Sequence, residues 1–123
     1  MIHDGQIVLF AFPQTDQIAG KLRPALVLRR VPGTHDDWLV CMISSRLRCE
    51  VPGVDEILQH TDHDFRATGL KLNSVVRTTR LAVVAAAGFH GAIGNLSEDR
   101  LTRIRSRLAD WILGAKEKTP ANR

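Results

Sequence analysis

Short apolar runs separated by turn residues fill about the first 85 residues, and this spacing is the strongest constraint on the fold. Such runs, bounded by Gly, Pro, Asn or Asp, are typical of buried strands joined by hairpin-length links. We predict strands at residues 6–12, 24–28, 38–43, 56–58, 74–78 and 81–84. A chain of this kind is expected to adopt a mainly β (α+β) fold, as a compact antiparallel sheet or a small barrel.

The pattern changes to a helical one after residue 96. Ser97 is predicted to cap a helix, and Leu96 and Leu101 on either side of it form a hydrophobic staple. Gly114 is predicted to end the helix. The apolar face that we expect to pack against the sheet consists of Leu101, Ile104, Leu108, Trp111 and Ile112.

Length and composition indicate one domain at residues 1–114, followed by a basic, flexible tail at 115–123. The chain is 44% hydrophobic and 24% charged, as in ordinary soluble proteins. It has no run near the roughly 20 apolar residues of a membrane helix and no signal-peptide pattern, so we expect a cytoplasmic protein. Cys41 and Cys49 match no zinc or CxxC spacing and are expected to be reduced.

Charge indicates the class of partner only weakly. A net charge of +4 suits a polyanion or an acidic protein, while four Phe, two Trp and no Tyr offer few rings for stacking bases. The helix arginines Arg100, Arg103 and Arg107 have Asp99 and Asp110 at ion-pair spacing. We therefore predict a solvated face of local ion pairs there, rather than a phosphate site.

The histidines do not indicate a metal site. His60 and His63 lie in a polar stretch that lacks the helical HExxH spacing, so a solvated loop is the better interpretation. The chain also has no P-loop, no GxSxG and no dinucleotide fingerprint. The sequence therefore predicts neither a metal nor a cofactor.

Polar residues at strand ends are the best candidates for chemistry. Arg23 precedes Pro24 at the start of an apolar run, and its guanidinium can bind a phosphate through two hydrogen bonds. The other candidates at strand ends are Ser44, Ser45, Arg77 and Arg80. Guanidiniums and a hydroxyl on one rim suit metal-independent phosphodiester cleavage, in which the 2′-hydroxyl of RNA is the nucleophile.

Five segments, in the same order, resemble the MazF/PemK family of toxins from type II toxin–antitoxin modules. They are GQIV at residues 5–8, KLRPALVL at 21–28, VCMISS at 40–45, GLKLNSVVR at 69–77 and IGNL at 93–96. The corresponding family patterns include "K-x-RP-x-LV", "VVPITS", "GL-x-x-x-SVV" and "IG-x-L". With the helix that follows, the resemblance extends over nearly the whole chain.

The resemblance implies a strongly bent antiparallel sheet with SH3-like barrel character and a C-terminal helix. It also implies a homodimer, and a cognate antitoxin whose acidic segment occupies the RNA groove. The implied activity is sequence-selective, metal-independent cleavage of single-stranded RNA, leaving a 2′,3′-cyclic phosphate and a 5′-hydroxyl.

The resemblance also assigns residues. Arg23 falls on the family's catalytic arginine, which stabilises phosphate charge and protonates the leaving oxygen. Ser44 falls on a position usually filled by threonine, and its hydroxyl keeps the capacity to bind the scissile phosphate. The residues expected to bind RNA are Lys21, Ser45, Arg77, Arg80 and Asp16.

Two departures from the family pattern bear on the mechanism. Thr79 stands where PemK-type members carry an aspartate suggested as the base, and Met42 replaces a proline. Asp16 is then the best candidate for the general base. Three alternatives stay open: a non-enzymatic, gyrase-directed toxin resembling CcdB, a catalytically inactive nucleic-acid-binding relative, and a barrel-type binding module without toxicity.

Overall fold

The computed structural model describes residues 1–11 and 21–114, which form a curled antiparallel half-barrel of six strands and a C-terminal helix. The strands are β1 (Gln6–Phe10), β2 (Arg23–Arg30), β3 (Asp37–Ser44), β4 (Glu56–Leu58), β5 (Ser74–Ala85) and β6 (Ala92–Asn95), and the helix is α1 (Glu98–Leu113). The strand order is β4-β5-β3-β2-β1-β6. The predicted fold class is thus confirmed. The end of the first predicted strand at residue 12 and the tail at 115–123 lie outside the described residues.

The two strands predicted between residues 74 and 84 are one strand, β5, which bends at a bulge of three residues. Arg77 and Leu81 pair with adjacent residues of β3, so residues 78–80 have no partner there. Extra residues on one strand bend it and increase its twist. The polar residues in this stretch therefore mark a bend within a strand and not a turn between two strands.

Strand β6 contains Gly94 and Asn95, a pair of residues that is typical of turns. Asn95 pairs with Gln6 of β1, and Gly94 continues the same ladder. A Cβ on Gly94 would collide with the backbone of the 3-10 turn Arg66–Thr68. The Gly-Asn signal is thus misleading, because the glycine serves a close approach between two backbone segments.

Both faces of the sheet are covered, which explains why the strands read as continuous apolar runs. Leu26 and Val27 are adjacent on β2, yet they belong to different core clusters on opposite faces. The cluster beneath α1 contains Ile7, Leu26, Leu28, Cys41, Ile43, Leu58, Phe65, Val76, Leu96, Leu101, Ile104 and Leu108. Burial raises the pKa of the Cys41 thiol far above its usual value, which keeps this thiol protonated.

Helix α1 packs through only part of its predicted apolar face. Leu101, Ile104 and Leu108 are buried, but Trp111 and Ile112 are 49% and 65% exposed. The prediction is wrong for these last two residues because the final turn extends past the core cluster that the earlier turns cover. The helix ends as predicted at Gly114, which has a φ of +71°. No helix in residues 1–11 and 21–114 is long and apolar enough to cross a bilayer.

The local ion pairs predicted for the three helix arginines are not formed. Arg100, Arg103 and Arg107 instead reach Glu56 on β4, with N–O distances of 2.9, 2.7 and 3.1 Å. The Glu56 side chain is only 7% exposed. Burying a carboxylate without a cationic partner costs much free energy, whereas an ion pair between exposed neighbours on a helix gains little. The arginines therefore pair with Glu56.

Arg100 extends this ion-pair network to the loop after β4. Its guanidinium lies 2.7 Å from both Asp62 Oδ2 and Asp64 Oδ2. The hydrogen bond that Arg100 donates to Asp64 is the main cause that lowers the pKa of Asp64 to about 2. The Ser97 hydroxyl also donates to Asp64, at 2.8 Å, instead of capping the helix as predicted. The network therefore fixes the start of α1 to β4 and to the loop.

Candidate functional site

Arg23 and Ser44 lie next to each other at one end of the sheet. Strand β2 begins at Arg23 and the neighbouring antiparallel strand β3 ends at Ser44. Ala25 pairs with Met42, and continuing this register places Arg23 opposite Ser44. Two residues far apart in the sequence are thus held together by the hydrogen-bond ladder between two central strands.

A cavity of about 200 Å³ opens beside this pair. It is lined by Arg23, Met42, Ile43, Ser44, Arg46, Cys49 and Arg77. Three arginines therefore line one small space together with Ser44, and none of these lining residues is acidic. Such a lining is suited to an anion, and a phosphate fits the paired N–H groups of arginine best.

The Ser44 hydroxyl is oriented by the backbone that follows it. Ser44 Oγ accepts a hydrogen bond from the Arg46 N–H at 3.1 Å. The hydroxyl proton is therefore left to donate to another acceptor. Together with the adjacent guanidiniums, it makes Ser44 a donor toward a bound phosphate oxygen.

Arg77 is held in place by a buried acid, Asp55. Arg77 Nε lies 3.3 Å from Asp55 Oδ2, and the Asp55 side chain is 2% exposed. The same carboxylate accepts hydrogen bonds from the backbone N–H groups of Val51 and Thr78, each at 3.0 Å. Thr78 lies in the β5 bulge, where its N–H has no partner on β3. Asp55 thus stabilises the bulge and positions the Arg77 guanidinium at the cavity.

Two further cavities continue the first one into a groove. A cavity of about 200 Å³ shares Arg23 and Ser44 with the first, and one of about 380 Å³ shares Ser45, Lys71 and Leu72 with the second. We call this series the basic groove. Its cationic side chains are Arg23, Arg46, Lys71 and Arg77, and no described residue that lines it is an Asp or Glu.

The other residues predicted to bind RNA are distributed unevenly. Ser45 and Arg77 line the basic groove. Lys21 and Arg80 are exposed and line none of its three cavities. Asp16, the candidate base, lies outside the described residues. The RNA-binding roles of all five residues stay predictions.

Sequence reasoning did not select several residues of the groove. Arg46 follows the serine pair by one residue, and Lys71 and Asn73 lie within the segment that resembles the family pattern before β5. His60 reaches the third cavity, where its ring is hydrogen-bonded to Asn73. Polar residues spaced two apart beside a strand end are the only sequence signal that these positions carry.

Comparison with known proteins identifies the family. A sequence model described as PemK-like, MazF-like toxin of type II toxin–antitoxin system matches residues 3–112. No curated protein sequence matches the chain significantly.

Solved structures of toxins share the fold. Mycobacterium tuberculosis toxin MazF-mt6 has a TM-score of 0.64 at 16% identity, over 87% of this chain and 95% of that one. MazF from Deinococcus radiodurans also has a TM-score of 0.64, at 24% identity over 90% and 94% of the chains. An endoribonuclease in complex with its cognate antitoxin, from a mycobacterial species, has a TM-score of 0.61 at 13% identity, over 99% and 100%. Since the family model covers nearly the whole sequence, this chain belongs to the PemK-like, MazF-like toxins of type II toxin–antitoxin systems.

Proposed function

We propose that this toxin is a metal-independent endoribonuclease that cuts single-stranded RNA at selected sequences. The observation that supports this most directly is the placement of Arg23 opposite Ser44, where two cavities of the basic groove meet. Four cationic side chains line this groove, one of them Arg77, which is paired with Asp55, and the groove suits the charge of an RNA backbone. The products would be a 2′,3′-cyclic phosphate and a 5′-hydroxyl.

The chemistry needs little from the protein because RNA supplies its own nucleophile. The 2′-oxygen forms a bond to phosphorus as the bond from phosphorus to the 5′-oxygen breaks. The 2′-hydroxyl gives up a proton and the leaving oxygen takes one. Arg23 and the Ser44 hydroxyl would stabilise the negative charge that grows on the phosphorane oxygens, and Arg77 would add a third donor. Asp16 remains our candidate for the base.

The same groove would also take part in control of the toxin. Solved structures that share this fold include MazE–MazF from Deinococcus radiodurans and an endoribonuclease with its cognate antitoxin. An acidic antitoxin segment would complement the groove and compete with RNA for it. We further propose that the toxin works as a homodimer in the cytoplasm, as the family resemblance implies.

The decisive experiment is an RNA cleavage assay in EDTA with antitoxin-free protein. Long single-stranded RNA is incubated with the wild type, R23A and S44A, and the new 5′ ends are mapped. We expect discrete cuts with 5′-hydroxyl ends, and a loss of at least about 100-fold in each variant, as when one transition-state donor is removed. The matched controls R66A and S106A remove exposed side chains that line none of the three cavities.

Two results would refute this proposal. Cleavage that survives in both R23A and S44A would place the reaction elsewhere. A folded wild-type protein that cuts no RNA but traps gyrase on DNA would instead support the gyrase-directed alternative.

A further inference from the structure

We propose that the third cavity of the basic groove is a nucleobase subsite, in which His60 and Asn73 read a base next to the cleaved phosphate. This inference rests on the proposed function, because Arg23 and Ser44 define where the phosphate lies. Arg23 and Ser44 line the second cavity of the groove. The third cavity adjoins it through Ser45, which lines both. It deepens that function by assigning residues to sequence selectivity.

The contact between His60 and Asn73 fixes the hydrogen-bonding character of both side chains. Asn73 Oδ1 accepts the His60 backbone N–H at 2.8 Å and lies 2.9 Å from His60 Nδ1. A backbone N–H can only donate, so the Asn73 atom here must be its oxygen. Nδ1 therefore carries the proton in the neutral ring, and Nε2 is left as an acceptor. The NH2 group of Asn73 remains as a donor.

Hydrogen bonds and strand pairing hold the wall of the cavity in the absence of a ligand. Buried Ser74 donates from its hydroxyl to the Leu72 carbonyl at 2.7 Å. Ser74, the first residue of β5, also pairs with Leu58, the last residue of β4. His60 follows Leu58 by two residues. Asn73 and His60 are thus fixed relative to each other by the ladder as well as by their own contact. A preformed site loses less entropy when a ligand binds.

Size and apolar surface also fit a base. The cavity has a volume of about 380 Å³, within the range of small-ligand sites. Leu72 and Leu47 line it, and Leu72 is 65% exposed. An unstacked base can pack its flat face on such apolar side chains while its edge forms hydrogen bonds. Lys71, on the same wall, provides charge for the adjoining backbone.

Other ligand classes use these groups less well. A phosphate presents only acceptors, so it would use the NH2 of Asn73 but not a lone pair on Nε2 of His60. A metal ion needs more ligands, and no group of three or more His, Cys, Asp or Glu side chains in residues 1–11 and 21–114 could hold one. A nucleobase edge presents both donors and acceptors, and the residues of this cavity offer both, through Nε2 of His60 and the NH2 of Asn73.

The test uses a random library of single-stranded 2′-fluoro RNA, which lacks the nucleophilic 2′-hydroxyl and so cannot be cut. The bound fraction is sequenced for wild type, H60A, N73D and H63A, and the same proteins are assayed for cleavage of native RNA. N73D keeps the oxygen that holds His60 but loses the NH2 donor. H63A is the matched control, because His63 is an exposed histidine of the same loop that lines none of the three cavities.

We expect the base preference at one position to weaken about two- to tenfold in H60A and N73D, with H63A unchanged. An unchanged preference in both variants would overturn the subsite. Equal weakening of the preference at every position would also overturn it, since this indicates a general electrostatic role. A uniform loss of cleavage with the binding preference intact would do the same, since this indicates a catalytic role. A wild type that binds selectively but cuts nothing would refute the proposed function alone, because the library still decides the subsite.

Discussion

Arg100→Met should destabilise the fold more than any other change on the surface of α1. The Arg100 side chain is 14% exposed and donates to three carboxylates and to the Ile57 carbonyl. Removing it leaves Glu56 and Asp64, which are 7% and 12% exposed, short of a cation. Breaking one side of a buried pair reduces stability by about 3–5 kcal/mol. We expect the lower part of this range, because Glu56 keeps two other arginines.

The assay is urea unfolding at neutral pH, followed by far-ultraviolet circular dichroism. A loss near 3 kcal/mol is a large share of the roughly 5–15 kcal/mol that stabilises a domain. Arg103→Met is the matched control, because Arg103 is 45% exposed and, among the described residues, forms its ion pair with Glu56 alone; it should lose at most about 1 kcal/mol. If Arg100→Met loses no more than Arg103→Met, the network does not hold the helix as we argue.

Two further predictions concern the same helix and loop. The pKa of Asp64 is about 2 in the folded chain against an ordinary 3.8, so its contribution of about 2 kcal/mol is present above pH 3.8 and is lost as pH falls through 2. Unfolding free energies between about pH 5 and pH 2 should therefore fall less steeply for D64N than for wild type, and equal slopes would contradict this. Leu108→Ala should reduce stability by about 2–5 kcal/mol, because Leu108 is 7% exposed. Trp111→Ala should cost less than Leu108→Ala, because Trp111 is 49% exposed, and the reverse ranking by urea unfolding would mean that the last turn is the part that packs.

The strands were predictable because a strand that is buried on both faces consists of consecutive apolar residues. The bend in β5 and the formation of strand β6 were not predictable, because each depends on a contact with a segment that is distant in the sequence. The bulge is stabilised by Asp55, more than 20 residues before it. Gly94 is required by the backbone of residues 66–68, and local turn statistics contain neither contact.

The candidate site was predictable to the extent that it lies at strand ends. Arg23 and Ser44 meet because antiparallel strands bring the start of one beside the end of the next. The contact between His60 and Asn73 joins two loops, and the role of Glu56 depends on its burial beneath a helix far along the chain. The rule that charged residues three or four apart on a helix pair with each other applies to residues exposed to solvent. It fails here because the arginines are drawn to a buried carboxylate.

The distribution of charge matters more for this protein than its sum. A net charge of +4 is modest, but the ion pairs are unevenly distributed over the described residues. The helix arginines are matched by carboxylates on β4 and its loop, whereas in the described chain Arg46 and Lys71 of the basic groove form no ion pair. Because opposite charges on the helix side largely cancel, the arginines of α1 contribute little to the attraction of a polyanion, and the groove, whose described lining has no Asp or Glu, is better suited to an RNA backbone. The ion-pair network thus stabilises α1 and, by occupying its arginines, leaves the groove as the stronger site for a polyanion.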